Sequence, residues 1–394
     1  MYWSLAFIST FAVYGILSPY ISVLIRGYGW SHTVVGMVLA VCEGAAIISP
    51  FITGYFADKL GRYRPVILLS LAMTFVCGAG LFFSKNLVLC AILIPVLAFG
   101  YRSLQPLMDA VSTINLGKDG NYGKYRTVGS IIFFSLVIFF QTTTIFRPNT
   151  PKNIAFWISA ISFVSTAILF FIPVSYFTNN KVSANQSKAE ITKNNSVSVK
   201  HGAFRKLWSP LFILGFAIIF INRLAMSPVQ GFISLYAIED LNWDAVGLMW
   251  ALSSGSEIPF IFLSKRIIKR FGALPLIAFS TAAVGVRLLI YVVFPFKAGV
   301  IAAQCMHSLC YGIFHPAAVA FISQCVPPEQ RALGMSLYLS LGTGVPTLIG
   351  NFIGGFIVET YGFRMLFGIF AALALPGLIL YFSTRRFMRN EYTN

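Results

Sequence analysis

The chain has 394 residues, of which 57% are hydrophobic and only 10% are charged. A soluble domain carries about 25% charged residues, so the composition excludes a soluble globular protein and predicts a polytopic membrane protein. The formal net charge is +17, and the distribution of the basic residues accounts for it without a nucleic-acid partner.

Twelve apolar segments separated by short polar turns predict twelve transmembrane helices, because each is about as long as a bilayer requires and none alternates like a barrel strand. The fold class is therefore an all-α polytopic membrane protein. The first segment lacks a basic leader and a small-residue cleavage site, so we do not expect a cleavable signal peptide. The predicted spans are 4–25, 33–56, 64–83, 87–113, 127–146, 153–176, 210–236, 245–264, 273–295, 299–325, 333–357 and 363–384.

The basic residues are distributed unevenly between alternate connections. Those after odd-numbered spans hold six Lys or Arg, whereas the others and the C-terminal tail hold 20 of the 29. By the positive-inside rule, this asymmetry places both termini in the cytoplasm. We expect a multi-pass protein of the plasma membrane, which in bacteria is the inner membrane.

Spans 1 and 2 carry polar side chains at membrane depth. Tyr14 shares a face of span 1 with Ser18 and Ser22, and Glu43 lies about ten residues from the outer end of span 2. An ionisable residue inside a membrane is costly and usually marks a substrate or proton path. Glu43 is therefore a candidate proton-coupling residue.

The connection between spans 2 and 3 reads Gly-Tyr-Phe-Ala-Asp-Lys-Leu-Gly-Arg-Tyr-Arg over residues 54–64. Gly54 would permit a close helix contact, Gly61 a turn, and Asp58 either a helix cap or a pair with a basic residue. The segment resembles the gating signature of the major facilitator superfamily. The signature positions are Gly54, Asp58, Lys59, Gly61, Arg62 and Arg64.

Span 4 contains a polar stripe between two apolar stretches. Arg102, Gln105 and Asp109 fall on one helical face at steps of three and four residues. A charge near the membrane centre costs roughly 2.5–3.5 kcal/mol, so it normally faces a bundle interior or a water-filled path. The stripe predicts a solute or ion pathway.

Residues 178–206 are polar, without apolar periodicity, and predict a flexible cytoplasmic linker. The linker divides the chain into two six-helix bundles, 1–177 and 207–394. Their sequences repeat at an offset of 210–212, most clearly where Tyr101-x3-Gln-Pro matches Tyr311-x3-His-Pro. Parallel duplication predicts pseudo-symmetric halves, with a substrate path at their interface near mid-membrane.

Six charged residues within the spans, three of each sign, predict ion pairing or a wet cavity. Unpaired, they would cost roughly 15–20 kcal/mol. Buried salt bridges that hold the halves together are the alternative for individual members, although such pairs are poor stabilisers. The six are Glu43, Asp109, Glu257, Arg102, Arg223 and Arg287.

The chain resembles the branch of the superfamily that includes lactose permease, nucleoside–proton symporters and phenylpropionate permeases. Pro106-Leu-Met-Asp109 is similar to that branch's helix 4 motif, and Arg126 stands where the lactose permease type has a sugar-bonding Arg. Glu257, Arg287 and His307 match the acid of helix 8, the Arg of helix 9 and the His of helix 10. The predicted substrate-binding residues are Asp109, Arg126, Glu257, Arg287, Arg223, Arg102, Gln105 and Tyr14.

The chain departs from the sugar symporters at Cys310, where they carry a proton-binding acid. The proton is therefore assigned to another group, and we take Glu257 or Glu43 as the coupling acid because a carboxylate in a cavity can gain and lose a proton as its surroundings change. The proton-coupling candidates are Glu43, Glu257, His307 and His315.

The function that the sequence predicts is proton-coupled symport of a small polar or aromatic organic solute by alternating access. The protein would act as a monomer, without a cofactor, using the proton gradient as its energy source. The alternative is a proton-coupled efflux antiporter of drugs or metabolites, although residues 128–132 lack the Pro typical of span 5 in such exporters. An enzyme is not predicted, since the sequence has no nucleophile triad, metal cluster or phosphate loop.

Overall fold

The structure is a computed structural model that describes residues 1–116, 122–143, 145–146, 150–178, 209–327 and 330–393. Almost all of these residues are helical, and the isolated β-bridge among them joins Arg62 and Thr178. The predicted all-α, multi-pass fold is confirmed. Of the predicted linker, residues 179–206 lie outside the described residues.

The first nine helices follow predicted spans 1–9 in order. Each is an apolar segment of at least 20 residues, which suffices to cross a hydrocarbon core of about 30 Å. They are α1 (Tyr2–Arg26), α2 (His32–Leu60), α3 (Arg64–Phe83), α4 (Leu87–Leu116), α5 (Tyr122–Thr142), α6 (Pro151–Phe171), α7 (Pro210–Leu235), α8 (Val246–Phe271) and α9 (Ala273–Val293).

Predicted spans 10 and 11 are helical, and each is interrupted by a π-helical turn. Span 10 consists of α10 (Lys297–Cys305), a π-helical turn (Ser308–Gly312) and α11 (Phe314–Cys325). Pro316 follows this turn, and its missing N–H and bulky ring disfavour regular pairing with the residue four positions earlier. Such π-helical turns occur frequently at functional sites.

The last two spans follow each other without an intervening loop. After α12 (Arg331–Leu337) comes a second π-helical turn (Tyr338–Gly344) and then α13 (Val345–Thr393). The apolar run Leu333–Arg385 is 53 residues long, far more than one crossing needs. Gly362, with φ of 78°, breaks it into the predicted spans 11 and 12.

Span 6 ends earlier than predicted, at Phe171 rather than residue 176, because Pro173 stops the helix. A short 3-10 turn (Val174–Phe177) follows. The backbone N–H of Tyr63 donates to the carbonyl oxygen of Phe177 at 2.9 Å. The chain after α6 is thereby attached to the loop between α2 and α3.

That loop contains the gating signature, and its local geometry is partly as expected. Gly61 adopts φ of 62°, the left-handed conformation that the turn requires. Asp58 accepts a hydrogen bond from the phenol of Tyr63 rather than capping a helix. The expected close helix contact at Gly54 is wrong, since a Cβ there would meet no atom within 4 Å.

Backbone contacts divide the chain into two compact units. The first comprises Met1–Trp30 and Val41–Ser198, and the second comprises Ser31–Ala40 and Val199–Asn394. The boundary therefore differs from a simple cut at the linker, because the start of α2 packs within the second unit. Each unit carries its own cluster of membrane-embedded polar residues.

Candidate functional site

The first-unit cluster is built on α1, α2, α4 and α5. Its centre is an ion pair in which Nη2 of Arg102 donates to Oε1 of Glu43 at 2.6 Å. Arg102 is thus paired with an acid, one of the two arrangements expected for the charged residues within the spans. The cluster consists of Tyr14, Glu43, Tyr101, Arg102, Asp109 and Arg126.

Two tyrosines frame this ion pair. The rings of Tyr14 and Tyr101 meet edge to face, with centroids 5.3 Å apart. The guanidinium of Arg102 lies 5.3 Å from the centre of the Tyr101 ring, within cation–π range. The hydroxyl of Tyr14 donates to the backbone carbonyl of Arg102 at 3.4 Å. These contacts fix α1 against α4 beside the paired charges.

Asp109 and Arg126 form a looser pair. Nε of Arg126 lies 3.6 Å from Oδ1 of Asp109, and the guanidinium also covers the Phe11 ring at 4.3 Å. Both charged side chains are about 30% exposed, so solvent or a solute can reach them. Gln105 lies half-buried on α4, one turn after Arg102.

The second-unit cluster is a continuous hydrogen-bonded chain across α8, α9 and the interrupted span 10. Nε2 of His307 lies 2.6 Å from Oε1 of Glu257, and Nδ1 lies 2.7 Å from Nη1 of Arg287. Nη2 of Arg287 donates to Oε1 of Gln304 at 2.5 Å. Ser253 donates to the same oxygen at 2.6 Å. The cluster consists of Ser253, Glu257, Arg287, Gln304 and His307.

The direction of donation defines the histidine tautomer. An arginine guanidinium has no acceptor, so Arg287 must donate to Nδ1 of His307. The proton of the ring therefore sits on Nε2, where it is donated to Glu257. In this arrangement His307 is neutral, Arg287 is positive, and Glu257 is the group that receives a hydrogen bond.

A cavity of about 210 Å³ opens against this chain. Its walls combine apolar side chains with the polar groups of the cluster, as small-molecule sites commonly do. Trp250 is held there by a hydrogen bond from Nε1 to the hydroxyl of Ser234 at 3.2 Å. The lining residues are Met226, Val229, Gln230, Ile233, Trp250, Ser253, Arg287, Gln304, His307 and Tyr311.

The rings of His307, Tyr311 and His315, predicted to share one helical face, stack in a column. The Tyr311 ring lies 5.7 Å from each histidine ring, with interplanar angles of 13° and 12°. His315 continues it through a 2.9 Å hydrogen bond between Nδ1 and the Tyr338 hydroxyl. The guanidinium of Arg223 lies over the Tyr311 ring at 5.2 Å.

Several polar residues of the second unit were missing from the predicted site. Gln304 lies one helical turn before His307, and Tyr291 lies four residues after Arg287 on α9, where its hydroxyl accepts from Nε at 3.2 Å. These i, i+3 and i, i+4 spacings are visible in the sequence and could have identified both residues. The partnership of His315 with Tyr338 is not visible in this way, because 23 residues separate them.

A second missed cluster surrounds His32 at the start of α2. Its Nε2 lies 2.7 Å from Oε2 of Glu239, and its Nδ1 lies 3.3 Å from Oε2 of Glu359. One turn later, a Cβ on Gly36 would lie 2.5 Å from the carbonyl oxygen of Asn351. Only glycine permits this approach, so the start of α2 is closely docked within the second unit.

The profile of the family described as "MFS_1 like family" matches residues 2–369. "Uncharacterized transporter YwbF" of Bacillus subtilis (strain 168) is 22% identical over 98% of this chain and 93% of that protein. "Maltose permease" of Geobacillus stearothermophilus is 21% identical, over 94% and 90%. "Probable 3-phenylpropionic acid transporter" of Escherichia coli (strain K12) is 24% identical, over 96% of each.

Solved structures of transporters share the fold. A variant of the nucleoside transporter NupG superimposes with a TM-score of 0.82 at 15% identity, covering 97% of this chain and 98% of that one. The peptide transporter POT in complex with sulfate gives a TM-score of 0.74 at 12% identity, covering 98% and 94%. At such identities the likeness establishes the twelve-helix architecture and leaves the solute to be argued from this chain's own residues.

Proposed function

The chain belongs to the MFS_1 like family and is a multi-pass membrane transporter of small molecules rather than an enzyme, and from that premise we propose proton-coupled symport. The solute is a small polar or aromatic organic molecule, moved by alternating access. The observation that carries this proposal is the hydrogen-bonded chain Glu257–His307–Arg287, which ends at a cavity of about 210 Å³.

Glu257 is the proton-coupling residue in this proposal. It is a carboxylate whose direct partner is a neutral, hydrogen-bond-donating histidine rather than a fixed cation. A proton added to Glu257 changes the charge next to the cavity without breaking an ion pair. Because proton and solute then act on the same group of residues, the binding of each alters the affinity for the other, which is the thermodynamic basis of coupling.

The other predicted proton carriers receive different roles. Glu43 is paired directly with Arg102 at 2.6 Å, so protonating it would leave a guanidinium in the membrane without its counter-charge. His307 positions Glu257 and Arg287 through a hydrogen bond with each. His315 bonds Tyr338 and orients the ring column.

The solute contacts are proposed in both units. In the second unit Arg287, Gln304 and His307 present polar atoms to the cavity. In the first unit Asp109 and Arg126 are partly exposed and lie 3.6 Å apart, so a solute could bind to both or take the place of one in their pair. Tyr14, Arg102 and Gln105 help to form that region, and Arg223 packs against the ring of Tyr311.

The cellular setting follows from the charge distribution and the family. We propose a location in the bacterial inner membrane with both termini in the cytoplasm, since the loops on that side carry most of the Lys and Arg. The protein works as a monomer. It requires no cofactor, because the proton gradient supplies the energy.

Uptake by purified protein in proteoliposomes tests this function. An inside-alkaline pH gradient should drive accumulation of at least one member of a panel of sugars, nucleosides and aromatic acids, and a protonophore should abolish the accumulation. Efflux of dyes under the opposite gradient, with no member of the panel accumulated, would support the antiporter and contradict the symporter.

A further inference from the structure

The second-unit cavity carries an excess of positive charge. Among the described residues in and directly behind its wall there are two guanidinium groups, Arg223 and Arg287, and one carboxylate, Glu257. His307 is neutral in the observed hydrogen-bonding pattern. Even with Glu257 ionised, these groups therefore sum to one positive charge in a low-dielectric setting, where electrostatic interactions are strong.

Arg287 lines the cavity, and three of its hydrogen bonds go to uncharged acceptors. They are the hydroxyl of Tyr291, Nδ1 of His307 and Oε1 of Gln304. The guanidinium is fully buried. These bonds engage all three of its nitrogen atoms and orient it, but they do not neutralise its charge, since Glu257 lies beyond the histidine.

Arg223 is the second uncompensated charge. Its side chain is 1% exposed, and its Nε and Nη1 are buried without a hydrogen-bond partner among the described residues. It is held by the rings of Tyr311 and Phe314, at 5.2 and 5.6 Å. Aromatic faces attract a cation, but they are weaker than a carboxylate. A buried guanidinium in this state strongly favours an anion nearby.

The rest of the cavity wall is apolar or aromatic. Met226, Val229, Ile233 and Trp250 contribute hydrocarbon and ring surface, and Tyr311 separates the cavity from Arg223. Such a wall favours an apolar body and disfavours a second ionised group on the ligand. The site thus combines one place for an anionic group with a surface for hydrocarbon or a ring.

We propose that this cavity binds organic monocarboxylates with an apolar or aromatic body, and that Arg287 contacts the carboxylate. Arg223 adds a second positive charge from behind Tyr311. This inference names the solute class of the transport function proposed above, and it rests on that function. The carboxylate supplies the counter-charge that the described residues in and directly behind the cavity wall do not provide.

The test is equilibrium binding by the full-length protein in detergent micelles, with each carboxylate compared with its neutral amide. The carboxylate probes are acetate, hexanoate and 3-phenylpropionate, and their neutral counterparts are acetamide, hexanamide and 3-phenylpropanamide. Calorimetry measures the affinity of each probe. Quenching of tryptophan fluorescence locates the ligand, because Trp250 lines the cavity and Trp250→Phe should remove the quenching. We expect hexanoate or 3-phenylpropionate to bind at least about tenfold more tightly than its amide.

Variants that change the charge near the cavity test whether the two arginines cause the preference for carboxylate over amide. Gln304→Glu keeps the shape of the side chain and places a carboxylate against Arg287, so the preference for carboxylate over amide should fall at least about tenfold. Arg223→Met removes the other charge and should reduce the preference several-fold. Gln324→Glu makes the same amide-to-acid change roughly 30 Å further along the span and should leave the preference intact, while melting temperatures verify folding.

Three results would overturn the inference: tighter or equal binding of the amides, failure of all the carboxylates to bind, or a preference that persists in both Gln304→Glu and Arg223→Met. The transport proposal fails on a different observation. If carboxylates bind as expected but no solute movement is coupled to protons, symport falls and the solute class stands. If a neutral solute moves with protons, symport stands and the solute class falls.

Discussion

His307 and Glu257 are joined by a 2.6 Å hydrogen bond in which the histidine is the donor. The opposite ring nitrogen accepts from Arg287 at 2.7 Å. A histidine engaged in this way links two charged residues while remaining neutral itself. Its role in our account is to position Glu257 and Arg287, whereas the proton is carried by Glu257.

Glutamine and alanine at position 307 distinguish positioning from proton transfer. The amide of His307→Gln offers one donor and one acceptor, so it can replace both contacts, and we expect measurable proton-coupled uptake. His307→Ala removes the acceptor for Nη1 of Arg287 and the hydrogen-bond donor to Glu257, at about 1–3 kcal/mol apiece, and uptake should be lost. Proteoliposome uptake across a series of pH values provides the measurement. Equal loss of coupling in both variants would assign the proton to His307.

The Glu43–Arg102 pair should show strong coupling in a double-mutant cycle. Glu43→Gln and Arg102→Met each leave one charge without its partner, whereas the double variant removes both charges. We expect the double variant to melt above at least one of the single variants, with a coupling energy of about 0.5–3 kcal/mol. Unfolding followed in detergent provides the measurement, and additive effects would show that the 2.6 Å contact contributes nothing to stability.

Gly36 should tolerate no larger side chain. The Cβ of Gly36→Val would lie 2.5 Å from the Asn351 carbonyl and 2.7 Å from Cα of Gly355, so the start of α2 must move away, at a cost of about 1–3 kcal/mol. Gly54→Val is the matched control, because nothing lies within 4 Å of its Cβ. Both variants would be compared by melting temperature. Equal effects would contradict close docking at Gly36.

Tyr63 provides a test based on pH. Burial, and then its hydrogen bond to Asp58, raise the pKa of Tyr63 above the usual tyrosine range. The folded state therefore holds this proton more tightly than the unfolded state, and stability should fall as the pH rises past about 10, the unfolded value. Tyr63→Phe should lessen that fall, whereas Tyr55→Phe, at an exposed position, should not. Identical melting profiles from pH 8 to 11 would contradict the assignment.

Much of the architecture could be predicted from the sequence, because apolar segments of bilayer length identify spans without tertiary information. A family resemblance also singled out Asp109 and Arg126 as solute contacts, and the structure brings them within 3.6 Å of each other. The π-helical turn at Ser308–Gly312 was not predicted, since a π turn has no strong local signature beyond a following proline. It matters because it lies between His307 and the rest of span 10.

The clusters were harder to predict than the helices. Charged residues inside spans identified Glu257, Arg287 and Arg102, since their cost in a membrane demands an explanation. Their partners depend on tertiary packing. Glu43 and Arg102 are 59 positions apart in the chain, and His32 and Glu239 are 207 positions apart. No periodicity in one helix encodes such a contact.

Solute-dependent proton movement in the Glu257→Gln variant shows whether Glu257 carries the coupled proton. A pH-sensitive dye trapped inside proteoliposomes should report acidification when solute enters with wild-type protein. The glutamine keeps the acceptor for His307 but cannot ionise, so Glu257→Gln should still exchange labelled for unlabelled solute while producing no proton signal. A proton signal of wild-type size in this variant would contradict the account and remove Glu257 from the coupling mechanism.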